Sequence, residues 1–210
     1  MAEAENEAPR LRARLMVERA EYIHNDLANA AYHLVERIEA KIKNKDMAGI
    51  TLDAMAAAVM TAFSFEAYLN FLGARCVTGW KERQSFATKL KVVTSTLGVV
   101  WDAQTAPYQT VEQLFNLRNE LGHGKPAFVV RQEVVEGTHA ELDAALQPPV
   151  PEWQKVLTPE FALSAYSAVK AVWKELIKAA GLDLWDTTSH GSGGLEFIGF
   201  VGTEVDLPTR

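Results

Sequence analysis

Residues 54–63 constrain the fold most, because this run is apolar on nearly every face that a helix would present. We predict a helix over residues 51–76 that contains the run. A helix that is apolar all round is buried on most of its faces, so other elements must surround it. Ser64, Glu66 and Asn70 interrupt the apolar positions, which argues against a membrane span.

Four further segments carry helical patterns. A long amphipathic helix is predicted over residues 11–45, with apolar residues stepping by three and four. Residues 85–98 and 110–121 show the same periodicity, and Thr158-Pro159-Glu160 is a typical start for a last helix that ends near Gly181. The sequence therefore predicts an all-α bundle of about four to five helices.

The rest of the chain does not follow a helical pattern. Residues 128–130 and 134–135 are β-branched or aromatic and suggest a short strand. A glycine- and serine-rich joint precedes residues 195–201, which predict a small C-terminal strand or hairpin extension that pairs with that strand or with a second chain. We expect residues 1–10 to be disordered, residues 11–181 to form the helical domain and residues 182–210 to form a tail.

The composition is that of a soluble globular protein. Of the 210 residues, 48% are hydrophobic and 23% are charged. The single cysteine, Cys76, excludes an intrachain disulfide framework and a cysteine-rich zinc site. The Glu-rich N-terminus lacks the order of a signal peptide, so we expect a cytoplasmic protein that does not bind a membrane.

Positive charge is concentrated in the middle of the chain, although the whole chain has a net charge of −6. Residues 75–131 carry 8 basic and 4 acidic side chains, a net of +4, whereas the segments on either side are net acidic. Local positive potential is what attracts a phosphate backbone. The candidate cations for RNA-backbone contacts are Lys81, Arg83, Lys89, Lys91 and Lys125. The alternative is that they form an ordinary solvated face.

One helix end brings together residues suited to phosphate chemistry. Thr110 and Gln113 predict a capping box at its start, and Gly122, Gly124 and Pro126 predict its end. Arg118 and His123 are five residues apart, which on a straight helix separates them by about 140° around the axis. We therefore expect the helix to unwind near Gly122 and bring His123 round towards Arg118.

Glu66 and Asn70 are expected to support that helix end. They are four residues apart, so they share one face of the apolar helix. A buried carboxylate requires a partner, and Arg118 is the candidate. The alternatives are that Arg118 forms an ordinary ion pair with Glu66 or Glu120, and that His123 bonds the last carbonyls of its helix.

Arg118, Asn119 and His123 resemble the motif of the HEPN superfamily (higher eukaryotes and prokaryotes nucleotide-binding domain), in which an arginine and a polar residue precede a histidine. The resemblance covers residues 15–181. It implies an up-and-down helical bundle, metal-independent endoribonuclease activity, and a homodimer in which the Arg118/His123 helix ends of both chains line one cleft. A toxin or phage-defence effector, with an antitoxin as partner, is a plausible context.

The residues themselves are sufficient for RNA cleavage without a metal or other cofactor. A histidine moves a proton near neutral pH, and an arginine presents a fixed fork to a phosphate. We expect His123 to act as acid or base, Arg118 to stabilise developing charge and Asn119 to orient an oxygen. The sequence has no paired-histidine metal motif and no phosphate-binding glycine loop. The alternative is a non-catalytic HEPN-like scaffold that binds a protein partner or a nucleotide.

Overall fold

The computed structural model of the chain describes residues 10–124, 126 and 128–201. The chain is mostly helical and divides into two compact units. One unit is helical and spans Tyr22–Thr187, and the other consists of the described residues within 1–21 and 188–210. The helical unit thus begins later and ends later than the predicted domain of residues 11–181.

Seven α-helices and one short 3-10 helix make up the described part of the helical unit. The five long helices are α1 (Ile23–Asn44), α2 (Ile50–Cys76), α3 (Phe86–Leu97), α4 (Tyr108–His123) and α7 (Pro159–Ala179). The short ones are α5 (His139–Ala145), α6 (Glu152–Val156) and the 3-10 helix Trp185–Thr187. The five long helices agree with the predicted helical bundle.

The apolar helix α2 is the centre of the unit, as its sequence predicts. It packs against α1, α3, α4 and α7, and its residues Ala57, Phe65, Leu69 and Leu72 are fully buried. By length and composition alone, α2 is the one helix among the described residues that could cross a membrane. Half of its most apolar stretch is buried, which is the pattern of a core helix with one partly open face.

α3 and α7 begin at the side-chain caps that the sequence predicts, whereas the capping box of Thr138 and Glu141 at the start of α5 was not predicted. Ser85 accepts a hydrogen bond from the Thr88 backbone N–H at the start of α3. Thr158 accepts one from Phe161 at the start of α7, and Pro159 occupies the first turn. Such caps satisfy backbone donors that have no partner inside the helix.

The predicted start of α4 is wrong. Thr110 does not cap the helix, because α4 already begins at Tyr108 after Pro107 and has no side-chain cap. Thr110 and Gln113 therefore lie inside the helix. Proline fixes its own backbone angle, so it can lead the chain into a helical turn without a serine or threonine cap.

The second unit is a two-stranded antiparallel sheet of β1 (Leu11–Ala20) and β2 (His190–Phe200). A strand near residues 195–201 was expected, but its partner was not, because residues 11–20 were assigned to the first helix. Odd-numbered residues from Leu11 to Val17 are apolar, and Arg12, Arg14 and Glu18 alternate with them. A period of two is typical of a strand and should have outweighed the helical interpretation.

The short strand predicted at residues 128–130 and 134–135 does not form. These residues are irregular and mostly exposed, with Phe128 at 93% and Val134 at 95%. The β-branched composition has no effect here because no described strand lies beside it to take its backbone hydrogen bonds. β2 pairs with β1 instead.

His24 is deeply buried where α1 packs against α2 and α7. Its side chain is packed among the rings of Tyr22, Tyr68, Phe71 and Trp173, and the residue is only 2% exposed. Nε2 lies 2.8 Å from the Thr187 carbonyl oxygen, so Nε2 carries the proton and donates. Burial lowers the pKa of His24, and the bond to Thr187 only partly offsets this.

Candidate functional site

The candidate motif lies on a continuous helix. α4 runs through Gly122 to His123, and Gly124 ends it in the left-handed conformation with φ of 52°. The expected unwinding at Gly122 does not occur, so Arg118 and His123 remain about 140° apart around the axis. No hydrogen bond or ion pair between described residues joins their side chains.

Glu66 holds Arg118 from the neighbouring helix α2. The Glu66 Oε2 atom lies 3.2 Å from an Arg118 guanidinium nitrogen, so the predicted contact between α2 and α4 is present. The other carboxylate oxygen of Glu66 lies 2.8 Å from Nζ of Lys89 on α3. One carboxylate therefore joins three helices through two cations, and the three side chains together carry a net charge of +1.

The prediction that Lys89 contacts an RNA backbone is wrong. Its side chain is only 4% exposed, because it is turned inwards to Glu66. A cation buried against a carboxylate is not available to a phosphate backbone. Lys81, Arg83 and Lys91 are exposed as expected, and Lys125 lies outside the described residues.

The Arg118 guanidinium is fixed by two further contacts. It donates to the Asn119 side-chain oxygen over 3.0 Å, and its carbon lies 5.2 Å from the centre of the Phe63 ring. A cation above an aromatic face is attracted by the ring's electron density. The Arg118 side chain is nevertheless 31% exposed, so part of the fork faces solvent.

Arg118, Asn119 and His123 line one groove of about 540 Å³. Its other residues are Met55, Val59, Phe63, Leu121 and Gly122. A second groove, of about 740 Å³, shares Met55, Leu121 and His123 with the first and includes Glu120, Gly124, Pro126, Pro151 and Trp153. The exposed side chain of His123 thus borders both concave surfaces, and Arg118 borders one.

The apolar wall of the first groove was not foreseen. Met55, Val59 and Phe63 are spaced by four, so they share one face of α2, and that face lines the groove. Their sequence resembles that of their buried neighbours on the same helix. On a helix that is apolar all round, the pattern cannot distinguish a covered face from a face that borders a groove.

Asn70 does not take the supporting role that its spacing from Glu66 suggests. It lines neither groove, and its side-chain oxygen is buried with no hydrogen-bond partner in the described residues. Gly122 does line the first groove. Within the same part of the chain, no cluster of three or more histidine, cysteine or acidic side chains is arranged to hold a metal ion.

The arrangement offers a fixed cation, an amide and a titratable ring along one open groove. Arginine remains charged at any physiological pH, and a histidine in contact with solvent can exchange a proton near neutral pH. Comparison of the chain with protein-family models, with curated proteins and with solved structures gave no match in any of the three.

Proposed function

We propose that this protein is a metal-independent endoribonuclease of the HEPN type that acts in the cytoplasm. The observation that carries the proposal is the single groove lined by Arg118, Asn119 and His123. Cleavage of RNA by its own ribose 2′-hydroxyl requires proton transfer and stabilisation of the charge that develops on the phosphate, and a histidine and a fixed arginine on one concave surface supply one group for each.

In the proposed reaction, the 2′-oxygen attacks the adjacent phosphorus in line with the departing 5′-oxygen. His123 takes the proton from the 2′-hydroxyl, or gives one to the 5′-oxygen. Arg118 faces the non-bridging oxygens, where negative charge develops, and Asn119 orients one of them. The products carry a 2′,3′-cyclic phosphate and a 5′-hydroxyl. DNA resists cleavage because it lacks the nucleophile.

Glu66 and Phe63 prepare Arg118 for this role. The carboxylate and the aromatic ring hold the guanidinium in place before substrate arrives, so less side-chain freedom is lost on binding. Glu66 also neutralises part of the positive charge. Lys89 balances that carboxylate from the opposite side and leaves the group with its net positive charge.

The reaction requires an acid and a base, and each chain supplies one motif histidine. We propose a two-fold dimer in which the α4 ends of two chains face each other, since a two-fold axis brings the same patch of each chain together. The His123 of the second chain then supplies the second proton-transfer group. The paired Glu66 carboxylates and the bound phosphate offset the repulsion between the two Arg118 side chains.

A second candidate function is a non-catalytic scaffold that binds a protein. The apolar wall of Met55, Val59 and Phe63 favours it, because a groove that only tracks an RNA backbone does not require such a surface. An antitoxin covering this groove would combine both candidates, since the covered enzyme would be inhibited.

Incubation of purified protein with single-stranded RNA in EDTA tests the proposal. We expect cleavage by the wild type and a loss of at least about a hundredfold for both His123→Ala and Arg118→Ala. His33→Ala is the matched control, because His33 is a highly exposed histidine on α1. An absolute requirement for Mg²⁺ or Mn²⁺ would contradict the mechanism. RNA binding without cleavage would favour the scaffold.

A further inference from the structure

The β1–β2 sheet has an apolar face that remains exposed. Because side chains alternate along a strand, residues 11, 13, 15 and 17 share one face of β1, and the pairing places β2 residues beside them. The large side chains on that face are between 46% and 73% exposed: Leu11, Leu15, Val17, Leu195, Phe197 and Phe200. Contiguous exposed apolar surface of this kind marks an interaction site.

The sheet has only two strands in the part of the chain that the structure describes. In the described residues β1 has one strand neighbour, β2, so the backbone groups along its other edge have no strand partner. A two-stranded sheet is marginal in water, and an exposed edge is a template for another strand. A further strand alongside β1 would satisfy that edge and extend the apolar face.

The sequence of β1 indicates which strand could pair with its free edge. An antiparallel pairing of β1 with itself, centred on Met16, places Arg14 opposite Glu18 of a second copy and Leu15 opposite its Val17. Each pair occurs twice because of the two-fold symmetry. The register pairs odd positions with odd, so Leu11, Ala13, Leu15 and Val17 of both copies share one face. Arg19 lies on that face too, opposite Ala13, and Met16 lies on the other face. Opposite charges directly across a strand pair stabilise it.

The contacts that Arg14 and Glu18 make within one chain are compatible with this pairing of β1 with itself. Arg14 is bound on one side by Glu196 of β2, at 2.8 Å, and its side chain is still 55% exposed. Glu18 has no ion pair in the described residues and is exposed. Charges on an edge strand normally discourage pairing, but here the arginine and the glutamate are placed to attract across the two-fold axis.

The outer edge of β2 is less suited than that of β1 to pair with another strand. Gly191, Gly193 and Gly194 make up much of its first half, and glycine weakens a strand because it has no side chain to pack. Glycine also leaves register poorly specified. β1 has no glycine, and its apolar and charged residues alternate from Leu11 to Glu18 except at Met16.

We propose that β1 pairs antiparallel with β1 of a second copy of this chain, centred on Met16, and forms a four-stranded sheet. This interface is distinct from the proposed contact between α4 ends and does not depend on ribonuclease activity. If one two-fold axis serves both contacts the assembly is a dimer, and otherwise it is larger.

A cysteine at the proposed centre reports the contact directly. On the two-fold axis, the Met16 Cα atoms of two copies are about 4.5–5.5 Å apart, which a disulfide can span. We expect Met16→Cys to form a covalent dimer under mild oxidation. Ser192→Cys on β2 is the control, because the two β2 strands lie at opposite edges of the four-stranded sheet. The wild type, with only Cys76, gives the background.

Charge exchange then tests the register. In the Met16→Cys background, Arg14→Glu alone or Glu18→Arg alone creates two like-charge pairs, and we expect cross-linking to slow by roughly tenfold. A mixture of the two variants restores opposite charges at every position and should recover the rate. Glu196→Gln should cross-link as fast as Met16→Cys alone, since it removes only the Arg14–Glu196 ion pair within one chain. Circular dichroism verifies that each variant folds.

Two outcomes would overturn the proposal. One is a Met16→Cys protein that folds but cross-links no faster than the wild type or Ser192→Cys. The other is a mixture of Arg14→Glu and Glu18→Arg that cross-links no faster than either variant alone. Loss of RNA cleavage with cross-linking intact would refute only the ribonuclease.

Discussion

At the scale of single residues, Glu66 determines the environment of two cations. Its removal leaves the Lys89 ammonium buried with no described carboxylate in contact, and burial of an unpaired charge is costly. We expect Glu66→Ala to lower the free energy of unfolding by about 2–3 kcal/mol in chemical denaturation. Lys89→Met is the comparison, because it removes the buried cation at similar length and leaves Glu66 paired with Arg118. It should change stability by less than about 1 kcal/mol. Equal stability of Glu66→Ala and wild type would show that the three charges are not coupled.

His24 makes stability depend on pH through a different route. Its folded-state pKa is lowered by burial, so below its unfolded value of 6.5 the unfolded chain binds a proton that the folded chain does not. Stability is therefore fully present above that value. It is lost as pH falls, until the lowered folded pKa is reached. We expect the denaturation midpoint to fall between pH 7.5 and 5.5, and to fall less for His24→Phe than for wild type. The exposed His33→Ala should retain the wild-type slope, and an unchanged slope in His24→Phe would contradict the assignment.

At the scale of elements, two glycines near the end of α4 have different roles: one lies in its last turn and the other ends it. Gly122 is inside the helix, and a Cβ there would meet no described atom within 4 Å. Gly122→Ala should therefore raise the free energy of unfolding by about 0.5–1 kcal/mol. Gly124 has φ of 52°, so Gly124→Ala should lower it by about 1 kcal/mol. RNA cleavage should survive Gly122→Ala. Its loss in a stable protein would mean that the helix has to bend there during the reaction.

The same elements show why sequence reasoning succeeded in some places and failed in others. α3 and α7 were located well because Ser85 and Thr158 cap them through local hydrogen bonds that the sequence itself specifies. The two-stranded sheet was missed because residues 11–20 were assigned to the first helix despite their period of two. The whole helical unit separates its strands in sequence, and local periodicity does not show which segments pair. The Glu66–Arg118 contact was predictable from the requirement that a buried carboxylate find a partner. The contact of Lys89 with Glu66 was not predictable, since nothing in the sequence around Lys89 distinguishes an inward-facing lysine from a solvated one.

At the scale of the whole molecule, the proposed ribonuclease mechanism depends on how many His123 side chains line one cleft. If two chains share a cleft, a dimer with one His123→Ala chain lacks either the acid or the base, and only dimers of two wild-type chains are fully active. Equilibrated mixtures at constant total protein should then lose activity with the square of the wild-type fraction. An equal mixture would retain about one quarter of the activity, whereas independent sites would retain about one half. The mixing control is wild type with His33→Ala, which should keep full activity. A linear loss with His123→Ala, at a concentration where light scattering reports a dimer, would show that each chain cleaves RNA alone and that the second proton-transfer group comes from within it.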